Sequence, residues 1–263
     1  MAAKEPVEME WDGDVAIIRL NDPVTLNALT FNMLEALLDA IGAAEKTARA
    51  VILTGAGKAF CSGANLEQGL DRKHYFPADQ DAGEALSSHI NPAISRLRAL
   101  SVPWITAVRG AAAGAGASFA LAGDMVIASE TARFILAFSR IGLVPDAGIN
   151  HLLVHAIGRV RANELMLLGG QFSAEQAAAW GLANRVVPDA ALEHEAMAVA
   201  QALAKGPASL GTTRRMSWSA LDDDWHELLA AEAEAQRGAG RSRDFQEGVD
   251  AFREKRPAQF KGR

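Results

Sequence analysis

The sequence predicts an α/β fold to about residue 200, followed by an all-helical C-terminal part. Three observations predict it. Short apolar, β-rich stretches alternate with stretches of helical period. A strand running into a loop of small residues occurs three times, at Val51–Gly57, Phe60–Asn65 and Ile105–Gly116, as stacked β-β-α turns require. After Pro188 every periodic stretch reads as helix.

Taken in order, Val7–Trp11 and Val15–Leu20 alternate around Asp12-Gly13 and read as a hairpin. Thr30 is placed to cap a helix from Phe31 to about Ala44, with Met33, Leu34, Leu37, Leu38 and Ile41 on one face. Ala50–Thr54 is a short buried strand. Leu70–Asp81 is polar, charged and aromatic without a period and reads as a loop bordering a site, and Tyr75 and Phe76 in it are candidate pocket residues alongside Phe134 and Phe138. Ala85–Leu100 is helical with a break or kink at Pro92. Trp104–Val108 is a strand feeding a loop of Gly and Ala, and Phe119–Ala122 reads as a helix ended by Gly123. Met125–Ala128 and Arg133–Leu136 are strands, Gly142–Gly148 a loop, and Ile149–Ile157 and Val160–Leu168 helices. Ser173-Ala174-Glu175-Gln176 is a capping box opening a helix that Gly181 ends, and Ala183–Val187 is a last strand. The C-terminal helices are read at Ala190–Lys205, Ala208–Ser217, Leu221 to about Arg237 and Ser242–Arg253. The domain reading is residues 1–200 as the core and 201–263 as a helical oligomerisation region.

Composition narrows the classes. The chain has 263 residues, of which 49% are hydrophobic, with a formal charge of −6. That excess of acid argues against nucleic acid as a general partner. No apolar run approaches the roughly 18 residues of a membrane helix. The polar start (Met1-Ala2-Ala3-Lys4-Glu5-Pro6) and the single Cys point to a cytoplasmic protein. The last stretch, Arg253–Arg263, carries five basic residues and one acid. Such a tail suits phosphate contact and equally suits a solvated end.

Two small-residue loops, ending at Ala64 and at Ala115, bring bare backbone N–H groups close to whatever faces them. Two such donors converging on one point would hold a developing oxyanion, as acyl-thioester chemistry requires. Tight packing of a buried helix explains the same residues equally well.

Phe60-Cys61-Ser62-Gly63-Ala64-Asn65 and Gly110-Ala111-Ala112-Ala113-Gly114-Ala115-Gly116 resemble the paired signatures of the crotonase (enoyl-CoA hydratase/isomerase) superfamily. Leu20–Leu29, Gly142–Gly148 and Ser173–Leu182 resemble its N-terminal motif, its catalytic loop and the segment that follows. The resemblance spans nearly the whole chain in the right order. It implies a crotonase-like (ClpP/crotonase) spiral of β-β-α units with a C-terminal helical trimerisation region, hence a homotrimer or a dimer of trimers. It implies an acyl-CoA substrate whose coenzyme A is part of the substrate, with no separate cofactor and no metal. The oxyanion donors carry over to the N–H groups of Ala64 and Ala115, and the substrate contacts to Asn65, Leu66, Gly114, Ser118, Phe138 and Leu143. The nucleotide contacts carry over to Phe260 and Lys261.

Departures from the family pattern sharpen the expectation. The paired glutamates of the family's hydratases fall at Ser118 and Phe138, so the acid–base pair for adding water is missing. Asp146 remains, where some family isomerases place a catalytic carboxylate. Apolar neighbours (Phe138, Leu143, Val144) would raise its pKa by desolvation. As an alternative, Asp146 caps the helix that starts near Ala147. The segment Ala137–Asp146 and the tail Gly240–Arg263 resemble one subgroup more closely, the ring-1,2-epoxyphenylacetyl-CoA isomerases of phenylacetate breakdown. Ile149-Asn150-His151 and Arg109 depart from that subgroup. The expected function is therefore an acyl-CoA isomerase with one Asp as acid and base, in phenylacetate or fatty-acid catabolism. An enoyl-CoA hydratase and a non-catalytic acyl-CoA-binding protein are the alternatives. Gly116–Ala120 is a faint nucleophile elbow lacking its second Gly, with His151 or His155 as candidate base. Cys61 reads as a packed residue.

Overall fold

The computed structural model describes residues 5–66 and 81–262. The expected strip 70–80, including Tyr75 and Phe76, lies outside the described residues.

Strands β1 (Val7–Asp12) and β2 (Val15–Leu20) form the expected hairpin. Helix α1 (Phe31–Thr47) follows, capped by the Thr30 side chain, which accepts from the Met33 N–H at 3.2 Å. β3 (Ala50–Gly55), β4 (Trp104–Val108), β6 (Met125–Ser129) and β9 (Arg185–Val187) then add in parallel, giving a six-stranded sheet in the order β1-β2-β3-β4-β6-β9. A sheet buried on both faces needs near-continuous apolar strands rather than alternation. β3 shows the division: Val51 and Leu53 enter the large core shared with α1, while Ala50 and Ile52 face a smaller core. Helix α7 (Leu192–Ala204) fills that smaller core through Leu192, Ala196, Val199, Ala200 and Ala204. The 200/201 boundary read from sequence thus falls inside a helix that belongs to the core layer.

A second sheet, β5-β7-β8, is built from three-residue strands: β5 (Ala111–Ala113), β7 (Arg133–Ile135) and β8 (Gln171–Ser173). Neither β5 nor β8 was expected. Cys61 extends this sheet by a parallel bridge to Ala112. Each turn of the spiral therefore lays a strand in the main sheet, a shorter pairing in the second, and a helix outside. The turns β4-β5-α4 (α4, Ala115–Leu121) and β6-β7-α5 (α5, Ile149–Leu167) are of this kind.

Several boundaries moved for identifiable reasons. α4 begins at Ala115, four residues earlier than its pattern suggested. The two helices expected at Ile149–Ile157 and Val160–Leu168 are one element kinked at Gly158, whose φ of 75° is not helical. The Ala85–Leu100 helix is α2 (Ala82–Ala85), a π-helical turn over Leu86–Ile90, and α3 (Asn91–Ala99). Pro92 donates no N–H and crowds the preceding turn, and the widened turn directly before it accommodates this. The capping box at Ser173 is present and opens α6 (Ala174–Ala179).

The C-terminal part is α8 (Ser209–Asp222), α9 (Trp225–Ala239) and α10 (Arg243–Glu254). Leu221 ends α8 rather than starting α9, because Asp224 caps α9 by accepting from the His226 and Glu227 N–H groups. α8 is pinned to the core by the buried Arg214, which pairs with Asp124 at 2.5 Å and donates to the Leu97, Arg98 and Leu100 carbonyls. Among the described residues no helix is long and apolar enough to cross a membrane.

Candidate active site

The first donor comes from the loop after β3. The Leu29 N–H donates to the Gly63 carbonyl at 2.7 Å, and the Asn65 N–H donates to the Leu29 carbonyl at 3.1 Å. This is a parallel bridge centred on Ala64, so the N–H of Ala64 itself faces away from Leu29. The loop is held from behind by Asn27, whose side-chain amide faces the carbonyls of Ala56, Ala59 and Phe60 at 2.8–3.2 Å. Leu26 and Asn27 both adopt positive φ, 59° and 60°, to present that amide. Sequence reasoning missed this supporting role. The place of Asn27 in the Leu20–Leu29 motif was the signal available.

The second donor is the N–H of Ala115, the first residue of α4, and first-turn N–H groups have no acceptor within their own helix. The two loops pack backbone against backbone. A Cβ on Gly116 would lie 2.4 Å from the Cys61 carbonyl oxygen, and one on Gly63 would lie 2.7 Å from that of Ala113. Glycine is required at both places because any side chain would force the loops apart. The Phe138 ring closes one side: its Cζ would be 3.9 Å from a Cβ on Gly114.

The third part is the turn carrying Asp146. The buried Ser118 hydroxyl, on α4, donates to the Asp146 carbonyl at 3.0 Å. Ala147 (φ 50°) and Gly148 (φ 82°) then turn the chain through the left-handed region into α5. The expectation that Asp146 caps a helix is corrected here. α5 starts at Ile149, Gly148 occupies the cap position, and no side chain caps it. Asp146 Oδ1 is instead buried without a hydrogen-bond partner. Burial pushes its carboxyl up to about 6, in the direction expected. Val144 does not share in this, being 77% exposed, whereas Leu143 packs on the core and donates its N–H to the Phe138 carbonyl.

Ala64, Ala115, Gly114, Ser118, Phe138 and Asp146 therefore gather in one place, with Asn65 buried beside them and Leu66 half exposed at the start of the strip outside the described residues. Phe260 and Lys261 do not join them. The Phe260 carbonyl accepts from Arg49, just before β3, its ring lies by Gly248, and the Lys261 N–H donates to Asp244 of α10. Cys61 is fully buried, and desolvation pushes its thiol up to about 12, which suits a packed residue and not a nucleophile. The Ser118 hydroxyl is bonded to a carbonyl and not to an imidazole, so the nucleophile-elbow reading has no base. Among the described residues no group of three or more His, Cys, Asp or Glu is placed to hold a metal.

A spiral of β-β-α turns that packs two loops of bare backbone N–H groups beside a half-buried carboxylate is the arrangement that enzymes acting on acyl thioesters need. The chain belongs to the enoyl-CoA hydratase/isomerase family, whose model matches residues 10–263. It is 42% identical to the 1,2-epoxyphenylacetyl-CoA isomerase of Escherichia coli, over 95% of each chain. It is 40% identical to a "probable enoyl-CoA hydratase" of Rhodobacter capsulatus, over 98% of each. Among solved structures it is similar to an enoyl-CoA hydratase from Bacillus anthracis (TM-score 0.89, 32% identity), covering 98% of this chain and 100% of that one.

Proposed function

We propose that this enzyme is an acyl-CoA isomerase that shifts a double bond, or rearranges a ring epoxide, using Asp146 as its single acid and base. The observation that carries this reading is the buried, unpartnered Oδ1 of Asp146 beside the two donor loops. In double-bond migration the Asp146 carboxylate takes a proton from the carbon α to the thioester carbonyl. The electron pair moves into the carbonyl, and the N–H groups of Ala64 and Ala115 hold the resulting enolate oxygen. The Asp146 carboxyl then returns the proton to the γ carbon, leaving the double bond conjugated. Hydration needs a second acid–base group. The two positions that would carry it hold Ser118, whose hydroxyl is already engaged, and Phe138, an apolar ring. The likeness to the Escherichia coli isomerase, named for an epoxyphenylacetyl-CoA, supports an aryl-acyl substrate and a place in phenylacetate catabolism.

The same reading includes a homotrimer or a dimer of trimers. Trp225, Leu229, Phe245 and Phe252 leave an apolar face on the C-terminal helices that a partner copy would bury. In such an assembly Phe260 and Lys261 would serve the coenzyme A of a neighbouring protomer, since in their own protomer they sit by Arg49 and Asp244.

The test is a β,γ-unsaturated acyl-CoA in D₂O. The wild type is expected to exchange an α proton and form the conjugated isomer. Asp146→Asn should bind the ester and isomerise it more slowly by a factor of ~10²–10⁴. Full activity of the variant, or brisk hydration of an α,β-enoyl-CoA by the wild type, overturns the proposal.

A further inference from the structure

We infer that Ser118 is a positioning residue: its buried hydroxyl fixes the Asp146 turn to the same helix that supplies the Ala115 oxyanion donor. The inference rests on the isomerase reading above and names the device that sets its geometry.

Few hydrogen bonds fix the Asp146 turn, and the packing of the buried Ala147 and Ile149 into the large core is non-directional. Ala147 and Gly148 occupy the left-handed region in succession, a conformation that costs a non-glycine residue free energy and persists only where surrounding contacts enforce it. The cap position of α5 has no side-chain hydrogen bond, and the Asp146 Oδ1 has no partner. The contacts within the turn are local. The Ile149 N–H donates to the Asp146 carbonyl at 3.1 Å, and the Asn150 side chain donates to the Pro145 carbonyl at 2.8 Å. Both travel with the turn and leave its distance from α4 undetermined. The Ser118 bond, 3.0 Å long and spanning 28 residues, is the hydrogen bond found among the described residues that joins the turn to α4.

The spacing along α4 gives that bond its consequence. Ala115 and Ser118 stand at i and i+3, so they share one face of the helix. Their axial separation is about 4.5 Å, comparable with the few covalent bonds between a thioester oxygen and the carbons whose protons move. One rigid turn of helix thus sets the distance from enolate donor to proton carrier. Ser118 was expected to touch substrate, but its hydroxyl points to the turn instead.

The test uses the full-length protein and the β,γ-unsaturated acyl-CoA already named. Ser118→Ala removes the bond while the Asp146 carbonyl keeps the Ile149 N–H, so the fold should survive. kcat should fall at least tenfold while KM stays within about twofold, since substrate binding is unaltered. The acidic limb of the kcat/KM–pH profile, near pH 6 in the wild type, should move down as the carboxyl gains water. A merely structural role would move neither the limb nor the kcat-to-KM split. Ser118→Thr and Ser118→Val have nearly the same shape and differ in the hydroxyl, so Thr should retain at least tenfold more kcat than Val. Equal kcat and equal pH limbs for that pair, or an unchanged Ser118→Ala profile, overturn the positioning role. Asp146→Asn run alongside separates the two claims. If it is inactive while the Ser118 variants match wild type, the positioning role alone falls; if it is fully active, the isomerase reading falls with it.

Discussion

Two aspartates of this chain, Asp244 buried and Asp146 half-buried, have opposite surroundings. Asp244, at the start of α10, accepts from the backbone N–H groups of Ala208, Lys261 and Gly262 at 2.8–3.2 Å. It ties the C-terminal tail and the start of α8 to one point. Asp146 is held by its backbone while Oδ1 has no hydrogen-bond partner among the described residues. A buried carboxylate with several N–H partners stabilises the structure around it, whereas one without partners destabilises its own charged form. The contrast separates a carboxylate that holds the fold from one that the fold leaves without a structural task, as the proposed proton carrier requires.

Substitution should divide the two sites, and the largest stability effect is expected at Asp244. Asp244→Ala strands the three N–H groups it now satisfies and should cost about 3 kcal/mol or more in urea unfolding. A loss under about 1 kcal/mol would remove the contrast. Asp146→Asn should act in the reverse sense. An unfolded Asp titrates near pH 4, and burial moves Asp146 in the folded protein to about 6. Between these values the folded state holds a proton that the unfolded state has released, so this group's contribution to stability falls as pH rises from about 4 to about 6. Above that window the penalty is about 2 kcal/mol once partial exposure to water is discounted. Asp146→Asn should therefore be the more stable protein at neutral pH by that amount, with the advantage vanishing toward pH ~4 in paired unfolding curves. The smallest effect is expected at Ala147→Gly. Relief of the left-handed conformation and the greater chain entropy of glycine nearly cancel, so stability should change by less than about 1 kcal/mol. kcat should still fall by a few-fold in a turnover assay as the turn loosens.

Much of the fold was legible because its signals are local. Asp12-Gly13 marks the hairpin, Thr30 and Ser173 mark helix starts, and the apolar runs of β3 and β4 mark strands with both faces covered. Of the second sheet only β7 was legible, for the same reason. β5 is three alanines, with no strand propensity to read, and it becomes a strand only because Cys61 and β7 flank it.

At the site, the sequence by itself determined the residue types: small residues at Gly63–Ala64 and Gly114–Gly116, no acid at Ser118 or Phe138, and one carboxylate at Asp146. It also left Asp146 with two compatible roles, because an Asp after Pro before a helix suits a cap as well as a base. Only the tertiary structure removes the cap from that pair. Two left-handed residues carry the chain past Asp146 before α5 begins at Ile149, and the Ser118 bond holds that turn against α4 with the Asp146 Oδ1 buried and unpartnered. Backbone dihedrals and contacts between residues 28 positions apart are set by packing, and one-dimensional pattern does not encode them.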